Sequence, residues 1–214
     1  MNAGIIFLIV LVVCGAGVTF YQQRSKIIPH KDEEPAGLHL GPIINGENHT
    51  SGAVFGSAGS ALGGFSFPQP DWAAGNVHYL TKRPTTKPRL GRMRARFTIT
   101  AEDYVRFIND YGSAATVSLY FQRRGDNWSS EGKYEAYRWY GATIPLAIGT
   151  YTLESDGKWG AVNTSHNDDN LPAFLAALKG VGRFGLVFGG GSGQGHGACA
   201  TGPAEFILHE LTFE

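Results

Sequence analysis

Apolar and polar residues alternate along most of the chain beyond Phe65, and this pattern predicts β-strands. The clearest segment is 92–100, where four apolar residues alternate with three arginines and two threonines. Because successive side chains of a strand point to opposite faces, Arg92, Arg94 and Arg96 are expected to share the face away from the core. Similar patterns at 76–81, 116–122, 133–140, 143–153, 183–188 and 204–213 predict further strands.

One short helix is predicted among these strands. Asn170 can cap its start, Gly180 can end it, and an apolar stripe at helical spacing lies between them: Leu171, Phe174, Leu175 and Leu178. A second segment, 100–111, fits either a short helix with a capping-box-like start or a strand, because its apolar residues match both periods.

The most apolar stretch runs from Ala3 to Tyr21 and contains no charged residue. It has about the length that a helix needs to cross a hydrocarbon core of roughly 30 Å. Val13 disfavours a lipoprotein signal at Cys14, and the lack of Lys or Arg before the stretch disfavours a signal peptide cleaved after Ala16. We therefore expect a transmembrane anchor.

Three regions follow from these patterns: an anchor at 1–21, a linker rich in Gly and Pro at 22–64, and a globular domain at 65–214. The protein is expected to be a single-pass membrane protein. Arg24, Lys26 and Lys31 follow the anchor, so flanking charge favours a cytoplasmic globular domain. A periplasmic domain stays the alternative, because large C-terminal domains are often exported.

Composition and charge narrow the class of partner. Lys+Arg and Asp+Glu both number 18, which gives a formal net charge of zero and no indication of nucleic-acid binding. The two cysteines, Cys14 and Cys199, lie in different regions and are not expected to pair.

The C-terminal part resembles a known fold family. A strand centred on Trp159, one short helix, the segment VGRFGLVFGGG and the final PAEFILHELTF are similar to the C-terminal half of galactose-binding-like jelly rolls, including the complex I intermediate-associated protein 30 family. The similarity covers roughly residues 146–214. It implies an antiparallel jelly-roll-like β-sandwich that serves as a carbohydrate-binding or assembly module, and it carries no ligand residue over.

No catalytic motif is complete. The glycine-rich segment before the last strand contains G-x-G-x-x-A at 193–198, but Pro203 and a strand follow where a dinucleotide site needs a helix. Ser192 lacks the second glycine of a nucleophile elbow. His196 and Cys199 form a nucleophilic couple only if the fold joins them. We expect neither an enzyme nor a cofactor.

No metal site is predicted. His166, Asp168 and Asp169 offer calcium ligands, but their spacing matches no EF-hand, and capping of the following helix explains the same residues. The remaining histidines show no zinc spacing.

Two candidate surfaces remain. Two β-rich runs flank a polar turn between residues 120 and 140, and aromatic and polar residues there suit a sugar or a protein partner; alternatively, Trp139 packs between sheets. This surface consists of Asp126, Asn127, Trp128, Glu131, Tyr137 and Trp139. The second is basic: residues 82–96 hold seven Lys and Arg, with Arg92, Arg94 and Arg96 as an anion or partner contact or as a solvated strand face.

These observations favour a non-catalytic accessory subunit of a larger membrane complex, such as a respiratory or photosynthetic one, held in the membrane through Ala3 to Tyr21. Other protein subunits are the expected partners. The alternative is a membrane-tethered carbohydrate-binding module with a glycan as partner. Nucleic acid is not expected.

Overall fold

The structure is a computed structural model of the whole chain, and it describes residues 37–41, 43–44, 47–48, 53, 55–56, 59, 61–70, 76–126, 137–161, 171–190 and 195–214. The expected anchor lies outside these residues. Within them, no helix has both the length and the apolar character needed to cross a bilayer.

The ranges above define fourteen strands and one helix. The strands are β1 (His39–Leu40), β2 (Ile43–Ile44), β3 (Glu47–Asn48), β4 (Gly63–Ser66), β5 (Tyr79–Lys82), β6 (Arg92–Ala101), β7 (Phe107–Asn109), β8 (Thr116–Arg123), β9 (Arg138–Pro145), β10 (Gly149–Asp156), β11 (Gly160–Ala161), β12 (Val181–Gly189), β13 (Ala198–Ala200) and β14 (Ala204–Phe213). The helix, α1, spans Leu171–Lys179.

Two antiparallel sheets face each other across one core. The larger sheet has the order β1-β5-β12-β8-β9-β11, and the smaller has the order β10-β6-β14-β4. Aromatic rings join the two: Phe188 of the larger sheet lies 5.8 Å from Phe206 of the smaller one, and Phe121 lies 5.3 Å from Phe213. The mainly β, antiparallel, sandwich-like architecture is therefore as predicted. Two short two-stranded sheets, β13-β7 and β2-β3, complete the described strands.

The alternation predicted for residues 92–100 is confirmed in β6. Met93, Ala95, Phe97 and Ile99 are at most 2% exposed, whereas the three alternating arginines, Arg92, Arg94 and Arg96, are exposed. Phe97 stacks on Phe206 of β14 with ring centroids 5.0 Å apart. This stack joins β6 to β14 on the face of the smaller sheet that points into the core.

The predicted helix is confirmed, but its buried face is narrower than the stripe suggests. Phe174, Ala177 and Leu178 are buried, whereas Leu171 and Leu175 are 47% and 43% exposed. The N–H of Gly180 donates to carbonyl groups of the last turn and ends the helix, as expected from the glycine there. Asn170, the expected cap, lies outside the described residues.

Segment 100–111 forms no helix. A turn follows β6, in which the N–H of Val105 donates to the carbonyl of Glu102, and β7 then pairs with β13. The side chain of Asn109 accepts hydrogen bonds from the N–H groups of Tyr111 and Ser113, which closes the next turn. The strand alternative is correct, because pairing with a distant strand outweighs the local helical pattern.

The sandwich begins before residue 65. β1 pairs with β5, with His39 opposite Thr81, and β4 pairs with β14 from Gly63 onwards. β1 falls within the segment that the sequence assigns to the linker, and β4 begins in it. Residues 34–214 form one compact unit, as judged from the contacts between their Cα atoms.

Candidate functional site

The strand predicted before the polar turn is confirmed as β8, whereas the strand after it, β9, begins at Arg138 and runs on to Pro145, beyond the predicted end at residue 140. Three of the six residues of that candidate surface are described. β8 pairs with β9, and Tyr120 lies opposite Tyr140. Asp126, Tyr137 and Trp139 have defined positions, whereas Asn127, Trp128 and Glu131 lie outside the described residues. The structure therefore assigns places to half of the expected surface.

Trp139 belongs to the core rather than to a binding surface. Its side chain is 0% exposed, and its ring lies 5.1 Å from that of Phe174 and 6.4 Å from that of Phe121. Trp139 is opposite Phe121 in the β8–β9 pair, so both rings point to the inner face of the larger sheet. The expectation of an accessible Trp139 is wrong, and the alternative of a ring between the sheets is correct.

Asp126 forms an ion pair inside the protein. Its carboxylate accepts hydrogen bonds from Nε of Arg138 at 2.5 Å, from Nη2 of Arg138 at 3.1 Å and from Nε2 of Gln122 at 2.9 Å. The side chains of Asp126 and Arg138 are 5% and 9% exposed. A buried, bidentate pair of this kind fixes the start of the turn to β9. Tyr137, which is half-buried, holds the guanidinium of Arg123 over its ring at 5.2 Å.

Beside this ion pair lies the tyrosine cluster, which we define as Tyr79, Tyr120, Tyr140 and Val187. These residues point away from the main core, because Leu119 and Phe121 on either side of Tyr120 point into it. The ring of Tyr120 lies 5.1 Å from that of Tyr79 and 5.5 Å from that of Tyr140. The larger sheet is thus buried on both faces at its centre.

Burial controls the chemistry of the tyrosine cluster. It raises the pKa of Tyr79 and of Tyr120 well above the usual value, and it raises the pKa of Tyr140 to about 12. The positive charge of Arg138 acts in the opposite direction in all three cases, but burial outweighs it. The phenols therefore stay protonated at neutral pH. They can donate hydrogen bonds, but they cannot act as bases.

One hydroxyl of the cluster stands out. Oη of Tyr120 is buried and has no hydrogen-bond partner among the described residues. A buried hydroxyl without a partner is costly, since it has lost its hydrogen bonds to water. Sequence patterns gave no sign of this arrangement, because Tyr79 joins the cluster from a strand about forty residues away in the chain.

The three arginines of β6 share one exposed face, as predicted. Arg94 lies between two carboxylates, 3.4 Å from Glu154 and 3.5 Å from Glu210. Asp156 lies opposite Arg92 in the pairing of β10 with β6. The face therefore carries charges of both signs.

Within its described residues, the glycine-rich segment forms no activated nucleophile; Ser192 and the start of the G-x-G-x-x-A match at 193 lie outside them. Cys199 lies in β13 and is 4% exposed, and burial, with a further contribution from the charge of Asp110, raises the pKa of its thiol. A reactive thiol needs a lowered pKa. Nδ1 of the exposed His196 lies 3.7 Å from Oδ2 of Asp110. In the described part of the chain, no three His, Cys, Asp or Glu side chains are placed to hold a metal ion; Asp168 and Asp169 lie outside it.

An apolar groove of about 490 Å³ lies at the end of the sandwich where β6 ends and β8 begins. Its apolar lining includes Val105, Phe107, Ile108, Leu146 and Ile148. Val105, Phe107 and Leu146 are each at most 7% exposed, so they form the floor, whereas Ile148 is 39% exposed.

Charged side chains line the groove, and aromatic side chains lie at the same end of the sandwich. Asp103 and Arg106 contribute to its lining. Tyr104 and Tyr111, in the loops at the same end, are 70% and 62% exposed. Sequence patterns did not reveal this site, because the topology joins loops some forty residues apart. The apolar pair Leu146 and Ile148 beside a turn glycine is a local signal for it.

No protein-family model, curated protein sequence or solved structure matches this chain.

Proposed function

We propose that this protein is a non-catalytic, membrane-anchored jelly-roll β-sandwich that serves as an accessory subunit of a larger membrane complex, of the respiratory or photosynthetic kind. The observation that carries the proposal is the apolar groove together with the exposed side chains of Tyr104, Tyr111 and Ile148 at the same end of the sandwich. Ala3 to Tyr21 supports the membrane anchor.

The groove has the composition of a protein-binding surface. Its floor is apolar, and Asp103 and Arg106 add charged groups that can be hydrogen-bonded at an interface rim. Exposed tyrosines bring large rings with a polar end, which is why tyrosine is frequent among the residues that dominate binding. We therefore assign the partner as a protein subunit that inserts an apolar side chain beside Ile148.

The chemistry of the described residues supports a binding role over a catalytic one. Burial moves the pKa of Cys199 and of the tyrosine cluster away from neutrality, towards protonated and unreactive forms. The carboxylate of Asp126 is occupied by its buried ion pair with Arg138.

A carbohydrate-binding module is the second candidate, and the exposure of Tyr104 and Tyr111 favours it. Flat rings in contact with solvent are what a sugar face requires. The candidate surface around the polar turn is a weaker platform, since Trp139 is buried in the core. A glycan would therefore bind at the apolar groove.

Site-specific photo-crosslinking tests the proposal. A photoreactive residue is placed at position 148 of the full-length protein in its native membranes, and a matched one at position 90. Leu90 is a suitable control because it is 58% exposed and lies at the opposite end of β6. We expect one stoichiometric partner at position 148 and none at position 90.

The variant Ile148→Asp should release that partner during purification in mild detergent, and Leu90→Asp should retain it. Equal crosslinking at both positions, or a solitary monomer in several detergents, would overturn the accessory-subunit proposal. Binding on a glycan array that is lost in Tyr104→Ala would instead establish the carbohydrate-binding alternative.

A further inference from the structure

A cleft of about 340 Å³ lies at the end of the sandwich opposite to the apolar groove. It is formed by the loop 84–88, by Arg124 directly after β8, and by the end of helix α1. Strand β8 separates the two sites, and its eight residues span roughly 25 Å at about 3.3 Å per residue. The cleft and the groove are therefore independent features.

Three cations line the cleft. Lys87, Arg124 and Lys179 contribute to the lining, and among the described residues no carboxylate does. None of these three side chains has an ion pair within the described ranges, in contrast to Arg94, which has two. Hydroxyl groups of Thr85 and Thr86 are also part of the lining. This set of groups is suited to a phosphate, which accepts hydrogen bonds from cations and hydroxyls through several oxygens.

The fold positions two of the three cations, Arg124 and Lys179. The N–H of Arg124 donates to the carbonyl of Gly180 at 2.9 Å, which joins the end of β8 to the end of α1. A Cβ atom at Gly182 would lie 2.8 Å from Cγ of Arg124, so a side chain there would displace the arginine. Lys179 is the last residue of α1. The backbone of Arg124 and that of Lys179 are thus held close together by the junction of β8 and α1.

The chain enters the sandwich at this same end. β1 is antiparallel to β5, with His39 opposite Thr81, so residues before His39 lead towards Lys82 and the loop 84–88. The expected anchor ends at Tyr21, and the intervening residues 22–36 span at most about 50 Å when extended. A membrane surface is therefore within reach of the cleft. This step rests on the anchor in the proposed function.

We infer that the cleft formed by Lys87, Arg124 and Lys179 binds the phosphate groups of anionic membrane lipids. Cations close to an anionic membrane surface each strengthen attachment about fivefold. The anchor holds the domain near the bilayer, and the cleft orients it by binding headgroups at the end where the chain arrives.

Lysine labelling in lipid nanodiscs tests this inference. The full-length protein is placed in nanodiscs of phosphatidylcholine with increasing phosphatidic acid, and acylation of lysines is measured by mass spectrometry. Lys87 and Lys179 should become protected as phosphatidic acid increases. Lys158 is the internal control, because it is exposed at the same end of the sheet but outside the cleft.

Two arginine variants provide a matched comparison. In Arg124→Ala, the phosphatidic acid content for half-maximal protection should rise about fivefold. Arg96→Ala removes the same charge from the exposed face of β6. This control should leave the phosphatidic acid content for half-maximal protection unchanged. Equal shifts in both variants, or equal protection of Lys158, would show general surface attraction and overturn the inference.

A second arm replaces the nanodiscs by neutral detergent with inorganic phosphate. Protection by millimolar phosphate would overturn the inference that a lipid supplies the bound phosphate group. It would identify a soluble phosphate as the ligand instead. No protection in either arm would overturn the site itself. Because Arg124→Ala leaves the apolar groove intact, crosslinking at position 148 reports separately on the proposed function.

Discussion

Replacement of Tyr120 by phenylalanine removes one buried hydroxyl group from the tyrosine cluster. The ring of Tyr120 is 0% exposed, and it stays between the rings of Tyr79 and Tyr140 in the variant. Because Oη of Tyr120 has no hydrogen-bond partner among the described residues, no partner there is left unsatisfied. The change therefore isolates the cost of burying that hydroxyl.

The expected effect is stabilisation. A buried hydroxyl without a hydrogen bond costs about 1–3 kcal/mol relative to its hydrated state. Loss of the oxygen also removes some van der Waals contacts, which offsets part of this gain. We expect the free energy of unfolding to rise by about 1 kcal/mol, with an increase in Tm of roughly 2–4 °C for a domain of this size.

Urea unfolding of the full-length protein in mild detergent measures the effect. Ser118→Ala is the matched control: Ser118 is also a buried residue of β8, but its hydroxyl hydrogen-bonds to Oγ1 of Thr143 at 2.7 Å. This control should lose about 1 kcal/mol. If Tyr120→Phe is destabilised to the same extent, the hydroxyl has a partner and the reasoning fails.

Three further predictions concern the same sheet. Asp126→Asn should lower the free energy of unfolding by about 3 kcal/mol, because the buried charge of Arg138 then lacks its counterion. Urea unfolding should show that part of this stability returns when Arg138→Gln is added. Tyr140 has a pKa of about 12 in the folded protein and about 10 when unfolded, so its contribution to stability should be constant below about pH 9 and fall as the pH rises towards 12. The loss at pH 11 should be at least about 1 kcal/mol, because the raised pKa values of Tyr79 and Tyr120 act in the same direction. Urea unfolding should show a smaller loss at pH 11 in Tyr140→Phe, and unchanged stability of the unsubstituted protein at pH 11 contradicts the assignment. Gly185→Ala should cost about 3 kcal/mol or more, because its Cβ would lie 2.0 Å from a carbonyl oxygen of β5, whereas Gly160→Ala has no such contact and should be near neutral in thermal unfolding.

Local patterns predicted the elements well where one face of a strand or helix is apolar. The alternation of apolar and polar residues identified the core residues of β6, and the apolar stripe followed by Gly180 identified α1. Segment 100–111 could not be decided locally, because the pairing of β7 with β13 joins residues about ninety positions apart. The same limit applies to β1, whose place in the larger sheet depends on β5.

The candidate site was harder to predict for a related reason. The abundance of aromatic residues in β8 and β9 suggested one binding surface, but alternate residues point to opposite faces. Phe121 and Trp139 enter the main core, and Tyr120 and Tyr140 enter the tyrosine cluster. Aromatic content therefore indicates here that both faces of the strands are covered, and the period of two decides which residue goes to which face.

The accessible candidate sites lie instead at the two ends of the strands. At one end the topology joins the loops after β6 and β9 into the apolar groove, and at the other it joins the loop before β6, the end of β8 and the end of α1 into the cationic cleft. The loops at the strand ends are not covered by a facing sheet, unlike the inner faces of the sandwich. An apolar site at one end and a site lined by cations at the other suit two different contacts. This division is what a domain needs if it binds a protein partner and a charged membrane surface at the same time.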